Sequence, residues 1–118
     1  MLATELIIEK LKNISGFKSC IIVGQDGLSL DSFISDNEDK NFLSAIVSSM
    51  YNEINKQSNR FSKKDPEISI METDQAVLAI SKMPIDTETY IIFNQFEQDS
   101  DSIAIMESLK QLNLSYVR

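Results

Sequence analysis

The sequence predicts an α+β domain with a five-stranded antiparallel sheet, one helix on one face and two on the other. Three observations support this fold class: an Asp-Gly turn between two strand-like runs, helical and strand-like periodicities that alternate along the chain, and a globular composition. The chain has 118 residues, of which 42% are apolar and 25% charged. That length suits a single core, so we expect one domain over residues 1–118.

The hairpin in residues 16–33 is the element from which we expect the sheet to grow. Residues 20–23 are an unbroken apolar run, and beyond the turn Leu28 and Leu30 alternate with polar side chains. The turn is Gln25-Asp26-Gly27, and an Asp-Gly pair favours a tight hairpin because glycine adopts positive φ at no steric cost. The first two strands should therefore pair with each other.

Three segments have the apolar period of a helix. The first covers residues 2–13, and Gly16 follows as the glycine that terminates it. The second covers residues 40–60, with Asp36 or Asn37 as its N-cap. The third begins within residues 99–102, where acids and serines favour a helix N-terminus.

The apolar stripe of the second helix is wider than one sheet requires. At ~100° per residue its apolar side chains cover roughly 180°, whereas about 100° is enough to cover a sheet. We therefore expect this helix to contact two surfaces, its own sheet and a second chain. Ser44, Ser48, Asn52 and Asn55 are assigned to the solvent face. The stripe consists of Phe42, Leu43, Ile46, Val47, Met50, Tyr51, Ile54 and Phe61.

Three more strands are predicted over residues 67–72, 76–83 and 89–94. The first, fourth and fifth strands are apolar on both faces, which is typical of central strands covered by helices on both sides. The second and third have more polar positions and should be edges. Because strands joined by a hairpin usually pair, the order that meets both demands is 2-1-5-4-3.

The third strand is an edge that its own side chains do not protect. An uncovered edge invites pairing unless charge, proline or a covering element prevents it. Pairing with another copy would join two sheets and place the second helices side by side. We therefore predict a twofold homodimer, or a heterodimer with a similar chain. The predicted interface consists of Phe42, Ile46, Met50, Ile68, Ile70 and Met71.

The charge of the chain excludes several classes of partner. The net charge is −7 and the isoelectric point is near 4.5, so the surface is unsuited to nucleic acid or to an anionic membrane. No apolar run reaches the ~20 residues of a membrane span, and no signal peptide is evident. We expect a cytoplasmic protein without membrane insertion. The single cysteine, Cys20, lies in a predicted strand and should behave as a small hydrophobe.

No motif for catalysis or cofactor binding is present in the sequence. Histidine, the commonest general base, is absent, and Gly16, Gly24 and Gly27 match no phosphate-binding loop. The acids Asp36, Glu38 and Asp39 lack the spacing of a calcium loop, so a solvated helix cap is the better interpretation. We expect no enzyme activity, no metal and no cofactor.

The order of elements resembles the roadblock family, the dynein-light-chain roadblock-type domains. The resemblance rests on Gly16-Phe17, the apolar strand that follows, the Asp26-Gly27-Leu28 turn, a long helix and the apolar pair of last strands. It covers essentially the whole chain, although family members often begin the last helix with glycine and this chain has Asp99-Ser100-Asp101-Ser102.

The resemblance implies a non-enzymatic dimer that regulates or tethers a Ras-like small GTPase through the paired second helices. The implied contact residues, which lie off the apolar stripe, are Ser48, Asn52, Asn55 and Lys56. Taken singly, each of these also suits an ordinary solvated helix face. The alternative function is a small-molecule sensor or adaptor of PAS or profilin-like architecture, which would need an internal pocket.

Overall fold

The computed structural model describes residues 3–35, 37–85 and 87–116, without the side chains of Ile85 and Tyr116. Leu2, the predicted start of the first helix, and Asp36, a candidate N-cap, lie outside the described residues. The elements follow the predicted order. They are α1 (Ala3–Leu11), β1 (Phe17–Val23), β2 (Ser29–Phe33), α2 (Lys40–Ser58), β3 (Ile68–Glu72), β4 (Ala76–Ile85), β5 (Glu88–Glu97) and α3 (Ser102–Tyr116).

The strands form one antiparallel sheet in the order β2-β1-β5-β4-β3, which confirms the predicted topology. The β4–β5 hairpin is longer than predicted and pairs continuously from Ala76–Glu97 to Ile85–Glu88. The extra residues lie at both ends of the hairpin, where the apolar runs of the sequence are interrupted by polar residues or proline. β2 and β3 are the edges, as expected.

Each face of the sheet has its own apolar core. On one face α1 and α3 cover a cluster that contains Ile22, Ile92 and Phe96. On the other face α2 covers a smaller cluster around Ile21 and Val47. The prediction of one helix on one face and two on the other is therefore confirmed.

The hairpin turn has the geometry that its residues predict. Gly27 adopts φ +83°, and its amide donates to the carbonyl of Gly24 at 3.0 Å. The Asp26 carboxylate accepts the Leu28 amide at 3.1 Å, so the aspartate closes the turn with its own side chain. On the neighbouring edge strand β2, the Asp31 carboxylate accepts the amide of Ser32 at 2.8 Å.

The N-caps of the two longer helices are aspartates. Asp39 caps α2 and accepts the Phe42 amide at 3.1 Å, so the expectation of Asn37 in that role is wrong. Asp101 accepts the amides of Ile103 and Ala104 at the start of α3. Both carboxylates also lie at the positive ends of their helix dipoles.

One buried polar side chain stands out in the larger core. Asn94 on β5 is fully buried, and neither its amide oxygen nor its amide nitrogen has a hydrogen-bond partner within the described residues. Its cross-strand neighbours are Cys20 on β1 and Ala79 on β4, both small. From the sequence pattern, residue 94 is expected only to be the last residue of the fifth strand.

Candidate interaction site

The outer side of α2 exposes large apolar side chains. Phe42 is 62% exposed and Ile46 is 39% exposed, while Met50 is half-buried beside them. Apolar side chains on a helix normally turn toward the core, and a contiguous exposed group marks an interaction surface. Part of the wide apolar stripe therefore packs on the sheet and part of it is exposed, while the expected contact with a second chain stays a prediction.

The sheet face beneath α2 is only partly covered. α2 packs against β1, β2 and β5, toward one side of the sheet. On the uncovered side, Leu78 of β4 and Met71 of β3 are cross-strand partners and both remain half-buried. Leu78 is absent from the sequence-predicted interface, although its alternation with Ile80 within β4 would have placed it on this face.

β3 leaves its outer edge open. Its inner edge pairs with β4 from Ile68–Ser81 to Glu72–Val77. Among the described residues, no loop donates or accepts a backbone hydrogen bond along the outer edge. The side chains of Ile68 and Ile70 pack into the α1/α3 core of their own chain, whereas Met71 lies on the α2 face. Ile68 and Ile70 therefore offer a partner mainly their backbone.

The predicted solvent face of α2 is wrong in part. Ser44 is 1% exposed, and Ser48 and Asn55 are half-buried, with buried oxygens that have no partner among the described residues. Asn52 and Lys56 are exposed as expected. The cause is the orientation of α2, which turns its serine side toward the β1–β2 turn and leaves part of its apolar stripe outside.

Charge is distributed unevenly along α2. Glu38 and Asp39 precede its first turn, which begins with Lys40, and all three are exposed, so the two acids outnumber the one cation. At the other end lie the exposed cations Lys56, Arg60, Lys63 and Lys64. The helix therefore presents an acidic N-terminal end and a basic C-terminal end, with the exposed apolar side chains between them.

An apolar groove runs between the N-terminal half of α2 and the sheet. Its volume is about 480 Å³. Its lining is mostly apolar, with Glu38 and Lys18 at its rim. The principal apolar lining residues are Ile21, Ile34, Leu43, Ile46, Met50 and Phe93. A second groove, of about 610 Å³, lies between α1 and α3 and is mostly polar, with Asn13, Ser108 and Gln111 among its lining.

Few of the described side chains are candidates for catalysis or metal binding. Burial raises the pKa of the Cys20 thiol from 9.0 to about 12, so the thiol is protonated at neutral pH. Within the part of the chain that the structure describes, no three potential ligands cluster as a metal site. No helix in that part is long and apolar enough to cross a membrane.

Element order, sheet order and an uncovered helix face together define a known class of α+β domain. The chain belongs to the Roadblock/LC7 domain family, whose sequence pattern matches residues 3–83. By sequence alone, no curated protein matches significantly.

Three solved structures show the same fold. The Roadblock/LC7 domain from Streptomyces avermitilis is 16% identical, with a TM-score of 0.72 over 92% of this chain and 88% of that one. MglB from Myxococcus xanthus is 12% identical, with a TM-score of 0.70 over 91% and 89%. An MglB in a tetrameric arrangement is 12% identical, with a TM-score of 0.74 over 97% and 84%.

Proposed function

We propose that this chain is a non-enzymatic, dimeric, cytoplasmic regulator or scaffold for a Ras-like small GTPase. The observation that carries the proposal is the surface formed by the exposed side of α2, the half-covered sheet face and the open edge of β3. α2 packs against β1, β2 and β5, so the uncovered part of this sheet face lies between α2 and the open edge of β3. A second copy would cover all three features at once.

The charges of α2 favour a twofold pair with antiparallel helices. In that arrangement the acidic N-terminal end of each helix lies beside the basic C-terminal end of the other. Glu38 and Asp39 of one copy then approach Arg60 of its partner, while the exposed Phe42 side chains are buried between the helices. Complementary charge sets the direction and register of such a pair. The tetrameric arrangement reported for one MglB structure also supports self-association in this fold.

The GTPase is proposed from family membership, and the paired helices supply the surface for it. The side of α2 that points away from the sheet carries Ala45, Ser49, Asn52 and Lys56, all exposed. Two such helices side by side would form a broad polar platform. Asn52 and Lys56 are the residues we assign to GTPase contact, and the half-buried Ser48 and Asn55 are less accessible.

The absence of a catalytic group supports regulation rather than chemistry. The sequence contains no histidine, and the one cysteine is held as a neutral thiol by its burial. The sensor alternative gains no support from Asn94, because neither of the two grooves described above includes this residue in its lining.

Two measurements test the proposal. Light scattering at micromolar concentration should give the mass of two chains. A Ras-like GTPase from the same genome, loaded with a GTP analogue, should co-elute with the dimer and show a changed rate of GTP hydrolysis. Lys56→Glu should weaken that complex and leave the dimer intact, whereas Lys110→Glu, on α3, should change neither. Failure to bind any such GTPase would refute the regulatory role.

A further inference from the structure

We propose that Phe61 of each copy inserts into the groove between α2 and the sheet of the other copy, so that two such insertions lock the pair. This inference rests on the proposed dimer. It assigns an occupant to the apolar groove and a role to the most exposed large apolar side chain that the structure describes.

Phe61 is displayed on an ordered turn. Its side chain is 89% exposed. Its amide and that of Ser62 both donate to the carbonyl of Ser58 at 3.0 Å, so the backbone continues the winding of α2 beyond its last residue. The Asn59 side chain donates to the Asp65 carboxylate at 2.6 Å and braces the segment that follows. An aromatic ring held in water by an ordered backbone is suited to insertion because little ordering entropy remains to be lost.

The groove and the segment around Phe61 match in chemistry. The groove is lined by apolar side chains from α2, β1 and β5, and its rim carries Glu38, with Asp39 next in sequence. Phe61 is flanked by Arg60, Lys63 and Lys64. A basic segment with an apolar ring would thus meet Glu38 and Asp39 at the α2 end of the rim, whose other charged residue is Lys18, around an apolar floor.

Distance shows that the occupant must come from another copy. At ~1.5 Å per residue, Phe61 lies about 17 Å along the axis from Met50 and about 27 Å from Leu43, the α2 residues at the two ends of the groove in its own chain, and its side chain cannot span that distance. Ser49 is the middle residue of α2 and is exposed and small. Measured from Ser49, Phe61 lies about 18 Å along the axis and Glu38 about 17 Å in the opposite direction. Antiparallel helices that cross at Ser49 therefore bring Phe61 of one copy to Glu38 of the other.

Phe61 also lies on the correct side of the helix. At ~100° per residue it is aligned with Leu43 and Met50, which line the groove. The two interacting features therefore share one flank of α2, the flank that faces the uncovered β4 and β3. A twofold axis on that flank turns the Phe61 of each copy toward the groove of the other.

A single tryptophan tests the insertion, since the chain has none. Phe61→Trp should give blue-shifted emission in the dimer, and dilution to the monomer should shift it to the red. Reversal of the rim charge in the same protein, Glu38→Lys, should weaken the dimer at low salt. Leu28→Trp is the matched control because Leu28 is 63% exposed at the other side of the sheet, and its emission should stay red at all concentrations.

Cross-linking provides a second measurement that does not depend on the tryptophan. Cys20 is buried and unreactive, so it can remain in place. Phe61→Cys protein mixed with Ser35→Cys protein should form a disulfide-linked pair under mild oxidation, whereas Leu28→Cys with Ser35→Cys should not.

The outcomes distinguish failure of the Phe61 insertion from failure of the proposed dimer. A dimer with red tryptophan emission and no cross-link overturns the insertion and leaves the dimer standing. A monomer at micromolar concentration overturns both. Blue-shifted emission that persists in the diluted monomer also overturns the insertion, because the ring would then be buried within its own chain.

Discussion

The substitution Phe42→Ala tests the proposed dimer most directly. A phenylalanine side chain buries about 200 Å² when fully covered, and Phe42 is 62% exposed. About 120 Å² per copy is therefore available, or about 3 kcal/mol at ~25 cal/mol per Å². The binding free energy is only part of what the buried area predicts, but the substitution removes the ring from both copies of a twofold pair. At half of the predicted free energy per copy, the two copies together lose about 3 kcal/mol of binding free energy. We therefore expect the Kd of the dimer to rise at least ~100-fold.

Sedimentation equilibrium over a dilution series measures this Kd. Circular dichroism of the diluted monomer should show an unfolding free energy within ~0.5 kcal/mol of the parent, because Phe42 contributes little to the core of its own chain. Leu28→Ala is the matched control. Leu28 is exposed to nearly the same extent, 63%, but lies at the β1–β2 turn, outside the proposed interface. Equal Kd values for the two variants would refute the assignment of the α2 face to self-association.

Three further predictions concern the fold that supports this surface. Asn94→Leu should raise the free energy of unfolding by about 1–3 kcal/mol in a denaturant titration, because it removes an unpartnered amide from the core. Asp39→Ala should lower the melting temperature by several degrees, since loss of an N-cap costs ~1 kcal/mol. Because the pKa of Cys20 is raised by folding, the stability it contributes is complete below pH 9.0 and is lost as pH rises toward about 12. That loss should be ~1.4 kcal/mol per pH unit in titrations at several alkaline pH values.

Each of these has its own control. Asp39→Ser keeps a capping oxygen and should retain most of the stability. Cys20→Ala should remove the part of the alkaline loss of stability that comes from the thiol. A destabilised Asn94→Leu protein would show that the amide makes a hydrogen bond that the protein needs. Rapid reaction of native Cys20 with a thiol reagent at neutral pH would contradict its raised pKa.

The topology could be predicted because it depends on patterns that are local and repeated. The Asp26-Gly27 turn determines the first hairpin, and doubly apolar runs such as 76–80 identify the central strands. These signals are sufficient to predict the sheet order. Strands joined by a hairpin must pair, strands covered by helices on both faces must be central, and only one order satisfies both conditions. Asn94 was beyond such reasoning, since a polar side chain near the end of a strand usually points to solvent.

The rotation of α2 about its axis could not be derived from its sequence. A wide apolar stripe indicates that a helix meets two surfaces, but it does not say which part of the stripe meets which surface. The structure buries Ser44, places Ser48 beside Gly27 of the β1–β2 turn, and leaves Phe42 and Ile46 outside. That orientation depends on packing against Val23 and Ile91, which lie far apart in sequence. For the same reason only Asn52, of the four residues assigned to the solvent face, is fully exposed.

The carboxylate of Asp31 on β2 has a consequence for how far assembly can proceed. A sheet with two free edges could in principle add molecules at both ends and grow into a fibre. The Ser32 amide is already held by Asp31 at 2.8 Å, so a further strand arriving at β2 would find that donor occupied and a negative charge beside it. The Asp31 carboxylate thus disfavours strand addition at β2, so that in the proposed dimer the β3 edge is the favoured site of pairing and a closed pair is the expected end point.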